Sequence, residues 1–324
     1  MTSATRGGWD AVGTADRLRR RVAGELGAVL AAGPVGVGRV HVGWVAARDV
    51  AGCAARYRGQ GEDGWGFPGW SPATAAGAVA RAALLAYLDD HERPGSGAAP
   101  PPAPLGTVRQ WMRSCRDLSA DGVAGWVAER RDDGDAAVLA ATAAGASRWL
   151  AGFLRVMGWP LPADLGLLNA GQGTLTWRPA GVAGVSVSGG ADARLGRVSG
   201  AGRFSLVVHR PAGGDDGAVE VRATFEAAAG ALARGIAPEA VLVTAGDTGE
   251  RLRLAVDDDV LAAGGGLVVD VVRQRVIATE RGFDPADATP GAACRHCERA
   301  LECPPGQAWL HGPGHARGGL PVGA

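Results

Sequence analysis

Three consecutive stretches decide how this chain folds: RFSLVVH (203–209), AVEVRATFEAAAGALAR (218–234) and AVLVT (240–244). The first and third are short apolar runs rich in β-branched residues. The middle one repeats its apolar positions at helical spacing, so the order reads strand, helix, strand. Toward the amino terminus, TLTW (174–177), GVSVS (184–188) and ADARLG (191–196) are further β-rich runs separated by glycine, which predicts hairpins or an antiparallel meander. Toward the carboxy terminus, RLRLAV (251–256) predicts another strand, and about Asp258 to Arg281 a long helix. Helix, three strands, helix and strand together define an α/β core.

Around that core the chain reads as helical. Leu18, Val22, Leu26 and Leu30 recur at helical spacing between Thr14 and Ala32, with Gly33 and Pro34 as the stop. Gly43 to Arg58, which carries Cys53, predicts a second helix. The loop GQGEDGWGFPGW (59–70) follows, then a capped helix from Ser71 or Pro72 to Tyr87 and the linker SGAAPPPAP (96–104). Gly106 to Trp159 is a helical block of insertion character, with Trp111, Trp126, Trp149, Phe153 and Trp159 as core anchors. AGGG (263–266) and AGQG (170–173) read as loops rather than dinucleotide-binding fingerprints, and HGPGHARGGLPVGA (311–324) as a tail.

Composition narrows the function classes. With 324 residues, 47% of them apolar, the chain can bury a substantial core. Its net charge is zero, which gives no support to strong sequence-independent attraction to nucleic acid. All 33 basic residues are arginine. Without lysine there is no Walker-type nucleoside triphosphate site, hence no helicase motor on this chain. No run of about 18 uncharged apolar residues occurs, and MTSATRGGWD (1–10) lacks a signal-peptide apolar region, so the expectation is a cytoplasmic protein off the membrane. Trp65 and Trp70 could either stack on unpaired bases or pack against the domain.

The strongest motif is GAACRHCERALECPPG (291–306). Cys294, Cys297 and Cys303 are separated by two and then five residues, with Pro304 directly after the third. In a reducing compartment such spacing reads as metal chemistry rather than disulfides. Structural zinc more often takes two separated pairs of close ligands, so three cysteines fit a 4Fe–4S cluster better, with zinc as the alternative; His296 could add a ligand to zinc, though the expectation is that it faces solvent. A fourth thiolate must come from elsewhere. Cys53 is the better candidate, ahead of Cys115 in the helical block.

One early cysteine and a late trio of this spacing, with an α/β core between them, resemble the PD-(D/E)xK nucleases of the RecB and AddB type and the CRISPR-associated iron–sulfur exonucleases. The resemblance runs from about Gly43 to Gln307. It implies a restriction-endonuclease-like core, a central mixed sheet flanked by helices, stapled by a cluster on Cys53, Cys294, Cys297 and Cys303. The implied organisation is a lead-in helix over 1–42 and a nuclease-fold domain over 43–310. Within that domain lie the helical insertion at about 104–160 and the cysteine segment at 284–310, and a tail follows over 311–324. DNA, single-stranded or a duplex end, and a separate helicase or repair protein are the implied partners.

That family holds Mg²⁺ with an acid on one strand and an acid two residues before a lysine on the next, because a hard cation beside the scissile phosphate needs oxygen ligands. In the matching register Asp192 is the retained acid and the candidate Mg²⁺ ligand, Val208 stands where the second acid belongs and Arg210 where the lysine belongs. A second register takes AVEVRAT (218–224) as the strand, with Glu220 and Arg222 in those two places. The family's helix histidine is absent from TAAGAVARAALLAYL (74–88). Either register breaks the triad. The expectation is therefore a catalytically degenerate protein that binds DNA or scaffolds repair, against the alternatives of an active Mg²⁺-dependent nuclease with displaced ligands and a zinc-stabilised interaction protein.

Overall fold

A computed structural model of the chain describes residues 10–34, 38–59, 70–91, 103–117, 122–157, 165–169, 175–197, 204–210, 216–245, 250–291, 294, 297 and 299–312. Two mixed sheets are flanked by helices. In the larger, the strands run in the order β2 (Leu165–Asn169), β5 (Ala193–Arg197), β6 (Phe204–Arg210), β7 (Ala240–Ala245) and β8 (Arg251–Ala255). β5 is antiparallel to both β2 and β6, β7 is parallel to β6, and β8 turns back antiparallel to β7. In the smaller, β4 (Val185–Gly189) lies between β1 (Val40–Val42), which is parallel to it, and β3 (Leu175–Trp177), which is antiparallel. β4 and β5 are separated by three residues, so one run of chain crosses from the small sheet to the large one at Gly190–Asp192.

Strand alternation sorts the large sheet onto two cores. Phe204, Leu206 and Val208 of β6 and Val241 of β7 face α1 (Ala11–Ala32), α8 (Asp216–Arg234) and α9 (Asp258–Arg281). Val207 of β6, with Ala193 and Leu195 of β5, faces α4 (Pro72–His91), α5 (Pro104–Ser114), α6 (Val123–Asp132) and α7 (Ala136–Met157). The parallel step from β6 to β7 is made by α8, whose alanine-rich face, Ala223, Ala227, Ala228 and Ala231, is fully buried. Caps follow the local rules: Asp257 accepts the Val260 N–H at 2.9 Å to start α9, and Ser71 and Thr74 exchange side-chain bonds at the head of α4.

The structure amends several expectations. The helix expected over 43–58 is two, α2 (Trp44–Gly52) and α3 (Ala54–Gly59), because the chain is extended at Cys53 directly after the poor helix former Gly52. AVEVRAT is no strand; although Val219, Val221 and Ala223 alternate with polar residues, the segment is continuous with the alanine-rich run to Arg234, a strong helix former, and it lies in α8. AGGG is no loop; it lies inside α9, where tight helix crossings exclude side chains. β1 and β2 have no counterpart among the expected strands, being only three and five residues long. Among the described residues α7 alone is long and apolar enough to cross a membrane by length and composition, yet Thr142, Ala146, Leu150 and Phe153 on it are buried in the second core. Of the tail expected over 311–324, residues 313–324 lie outside the described set, as does Trp65, whereas Trp70 packs against the second core.

Candidate metal centre and a buried charge network

Cys53, Cys294, Cys297 and Cys303 line one cavity. Cys53 reaches it from the break between α2 and α3. Cys303 reaches it from the junction of a short 3-10 turn, Ala300–Glu302, with α10 (Pro304–Leu310). The rest of the wall is mostly apolar, with Phe283, Ala288, Pro290 and Ala300, plus Arg56. All the cysteines are free thiols, and Cys53 and Cys303 are buried. A side chain added at Gly306 would begin 3.3 Å from the Cys303 sulfur and 3.5 Å from that of Cys294, so glycine there keeps the cavity open.

Backbone amides point at the sulfurs. Arg56 N–H donates to Cys53 Sγ at 3.5 Å and Gly291 N–H to Cys294 Sγ at 3.4 Å. Burial pushes the Cys297 thiol up, while the Arg299 N–H and the Arg56 guanidinium pull the other way. Such donors favour thiolate over thiol. The two chain ends are also joined without any sulfur: Arg58 meets Asp287 at 2.6 Å and Arg281 meets the same carboxylate at 3.2 Å. Cys115 takes no part; it ends α5 in the second core, its thiol donating to the Trp111 carbonyl. Among the described residues no group of three or more His, Cys, Asp or Glu side chains is arranged to hold a single metal ion. His296 lies outside the described set.

Asp192 occupies the crossing between the sheets, 1% exposed. It stands one step beyond the Ala193–Val207 pair, across from Val208, which is fully buried in the core. Its carboxylate is surrounded by donors: Arg81 of α4 at 2.5 Å, Arg222 of α8 at 3.0 Å and the His209 N–H at 2.6 Å. Burial alone would raise its pKa, but Arg222, Arg81 and the His209 amide outweigh burial and hold it below the ordinary carboxylate value. Arg222 also bonds the Gly190 carbonyl at 3.2 Å and lies over the Trp44 ring at 5.2 Å. Glu226, one turn further along α8, accepts the Gly190 N–H at 2.8 Å and also the Ala191 N–H. Burial dominates there and pushes its pKa up to about 7. Behind the network His209 bonds Thr244 at 2.7 Å and meets the Trp149 ring edge-on, 4.7 Å between centroids.

The two registers thus meet in one place by an unexpected route. Arg222 does contact Asp192, but from a helix; Glu220 on the same helix is exposed and apart from it. Arg210 closes β6 opposite Ala245, and its side chain lies outside the described set. Arg81 and Glu226 were missed, though each carries a signal: Arg81 is the one charge in 74–88, and Glu226 the one charge between Arg222 and Arg234. A lone charge in an apolar helical run needs a buried partner. Compared with known protein families and with characterised proteins, the chain matches none.

Proposed function

We propose that this chain is a RecB-like protein of the PD-(D/E)xK type, stapled by a 4Fe–4S cluster on Cys53, Cys294, Cys297 and Cys303. Its catalytic centre has become a charge network, and it serves in DNA binding or as a scaffold in DNA repair or recombination. The observation that carries this reading is the cavity shared by Cys53 and the distant trio. Structural zinc more often takes two separated pairs of close ligands, whereas here three closely spaced cysteines join one distant cysteine. Four thiols lining one cavity, with amides donating to sulfur and a mostly apolar wall, are the kind of donor set that holds a 4Fe–4S cluster. Held there, a cluster supplies a cross-link between chain ends and asks for the reducing conditions of a cytoplasm.

The nuclease-fold part of the reading draws on the antiparallel β2–β5–β6 unit, the α8 crossover to parallel β7, and Asp192 at the head of β5. Loss of catalysis follows from the partners of that acid. Two guanidiniums and an amide occupy the lone pairs a Mg²⁺ ion would need, and Val208 offers no second oxygen.

The test is anaerobic purification with iron and sulfide analysis and an absorption spectrum, on wild type and Cys53→Ser, beside a Mg²⁺-dependent cleavage assay on single-stranded and duplex DNA. A brown protein with a broad band near about 400 nm, iron lost in the mutant, and DNA bound but uncut is the expected outcome. A colourless zinc protein would remove the cluster. Cleavage abolished by Asp192→Ala would remove the degeneracy.

A further inference from the structure

β8 is an edge of the large sheet, and it is unusually bare: Arg251, Leu252, Arg253 and Ala255 are all exposed, Leu252 by 64%. Parity fixes which of its backbone groups point outward. The Ala245 N–H bonds the Glu250 carbonyl at one end of the β7–β8 ladder, and the Val256 N–H bonds the Glu239 carbonyl at the other. In an antiparallel pair hydrogen-bonded and non-bonded residues alternate, so Leu252 and Leu254 turn their amides and carbonyls inward to Val243 and Val241. The N–H and C=O groups of Arg251, Arg253 and Ala255 therefore face away from the sheet. The same alternation puts both guanidiniums on one face of the strand and both leucines on the other. Among the described residues neither Arg251 nor Arg253 has an ion-pair partner.

We propose that β8 is a docking edge for an extended segment of a partner protein in which acidic and apolar residues alternate, added as a sixth strand. This goes beyond the cluster and nuclease-fold reading and stands independently of it. Main-chain bonds to Arg251, Arg253 and Ala255 hold the segment, its carboxylates pair with the guanidiniums across one face, and its apolar side chains cover Leu252 on the other. A second copy of β8 is the wrong occupant: pairing through the outward residues in antiparallel register sets arginine beside arginine on one face, which like charge opposes. A nucleic-acid backbone would use the arginines but leave Leu252 and the outward amides without a counterpart.

The probe is a fluorescein-labelled, end-capped peptide of alternating Glu and Val, with a Lys/Val peptide as control, titrated with the full chain by fluorescence anisotropy. Arg253→Pro removes one outward N–H while leaving the β7 ladder intact, which an edge strand tolerates. The double variant Arg251→Glu, Arg253→Glu keeps the backbone and reverses the charge. Saturable binding of the Glu/Val peptide is expected, weakened about fivefold or more by Arg253→Pro. The double variant should prefer the Lys/Val peptide, with thermal melting confirming that both variants are folded. Absence of saturable binding, or affinities unchanged in both variants, overturns the proposal. So does a dimer seen by light scattering that Arg253→Pro dissolves, which gives the edge to a second copy. Displacement of the peptide by duplex DNA, with DNA binding lost in the double variant, gives it to nucleic acid and equally overturns it.

Discussion

At the scale of single residues, the centre of the molecule is governed by how much charge a buried site can hold. Asp192, Arg222, Arg81 and Glu226 sit where the sheets meet, and two cations face two acids. The acids divide unequally. Asp192 pairs with both guanidiniums and stays ionised, whereas at Glu226 burial outweighs the charge of Arg222 and the backbone donors and raises its pKa from 4.5 to about 7. Because the folded state holds the Glu226 proton more tightly than the unfolded chain, its contribution to stability is full below about pH 4.5. It declines as pH climbs toward about 7 and is flat above. Asp192 acts in the opposite sense and lower down, its contribution present above the ordinary carboxylate pKa and lost as pH falls through its depressed value. Urea denaturation should therefore show wild type losing on the order of 1–3 kcal/mol between pH 5 and pH 8, a slope that Glu226→Gln flattens. An unchanged slope in that variant would assign the titration to another group.

At the scale of elements, α9 owes its position to two glycines that touch and tolerates a third that does not. A Cβ at Gly264 would lie 2.4 Å from the Thr224 carbonyl oxygen and 2.6 Å from the Ala228 methyl on α8, and one at Gly265 would press on α1 at Leu18 and Val22. At Gly266 it would meet nothing within 4 Å. Gly264→Ala should destabilise the protein by about 1–3 kcal/mol through forced separation of α8 and α9. Gly266→Ala should stabilise it by about 0.5–1 kcal/mol through helix propensity alone. Thermal or chemical melts of the two variants moving in the same direction would contradict this packing. The contrast also marks what was legible in the sequence. Helices with a strong apolar period, such as 11–32 and 258–281, and β-branched runs such as 204–210 could be read directly. The GGG run could not, because only a tertiary contact tells a packing glycine from a loop glycine. β1, held by its parallel neighbour β4, was hidden for the same reason. At the site, cysteine spacing pointed to the thiols, but the arginines around Asp192 arrive from α4 and α8 across 111 and 30 positions of chain, and no local pattern links them.

At the scale of the whole molecule, the contacts of Cys53 and Arg58 with the segment after α9 close roughly three quarters of the chain into a ring. Closing a long loop restricts the unfolded state broadly, so removing the closure should weaken the entire domain rather than one flap. With the proposed cluster in place, Cys53→Ser should lower the midpoint of global thermal unfolding by several degrees. Cys115→Ser, in the second core and away from the cysteine cavity, should leave iron content unchanged. Circular dichroism melts paired with iron analysis check both, and equal losses of iron in the two variants would count against Cys53 as the ligand.

The passage of one run of chain from the small sheet to the large one at Gly190–Asp192 has a kinetic corollary. Gly190 is exposed, its amide bound by Glu226 of α8, whereas the amide of the buried Asp192 is bound by the Val207 carbonyl within the large sheet. Hydrogen exchange at the Asp192 amide should be among the slowest in the protein, proceeding by global opening, while the Gly190 amide exchanges by local release from Glu226 and amides along β8 by local fraying. At Asp192 the crossing then behaves as a clasp whose lifetime is that of the native state itself.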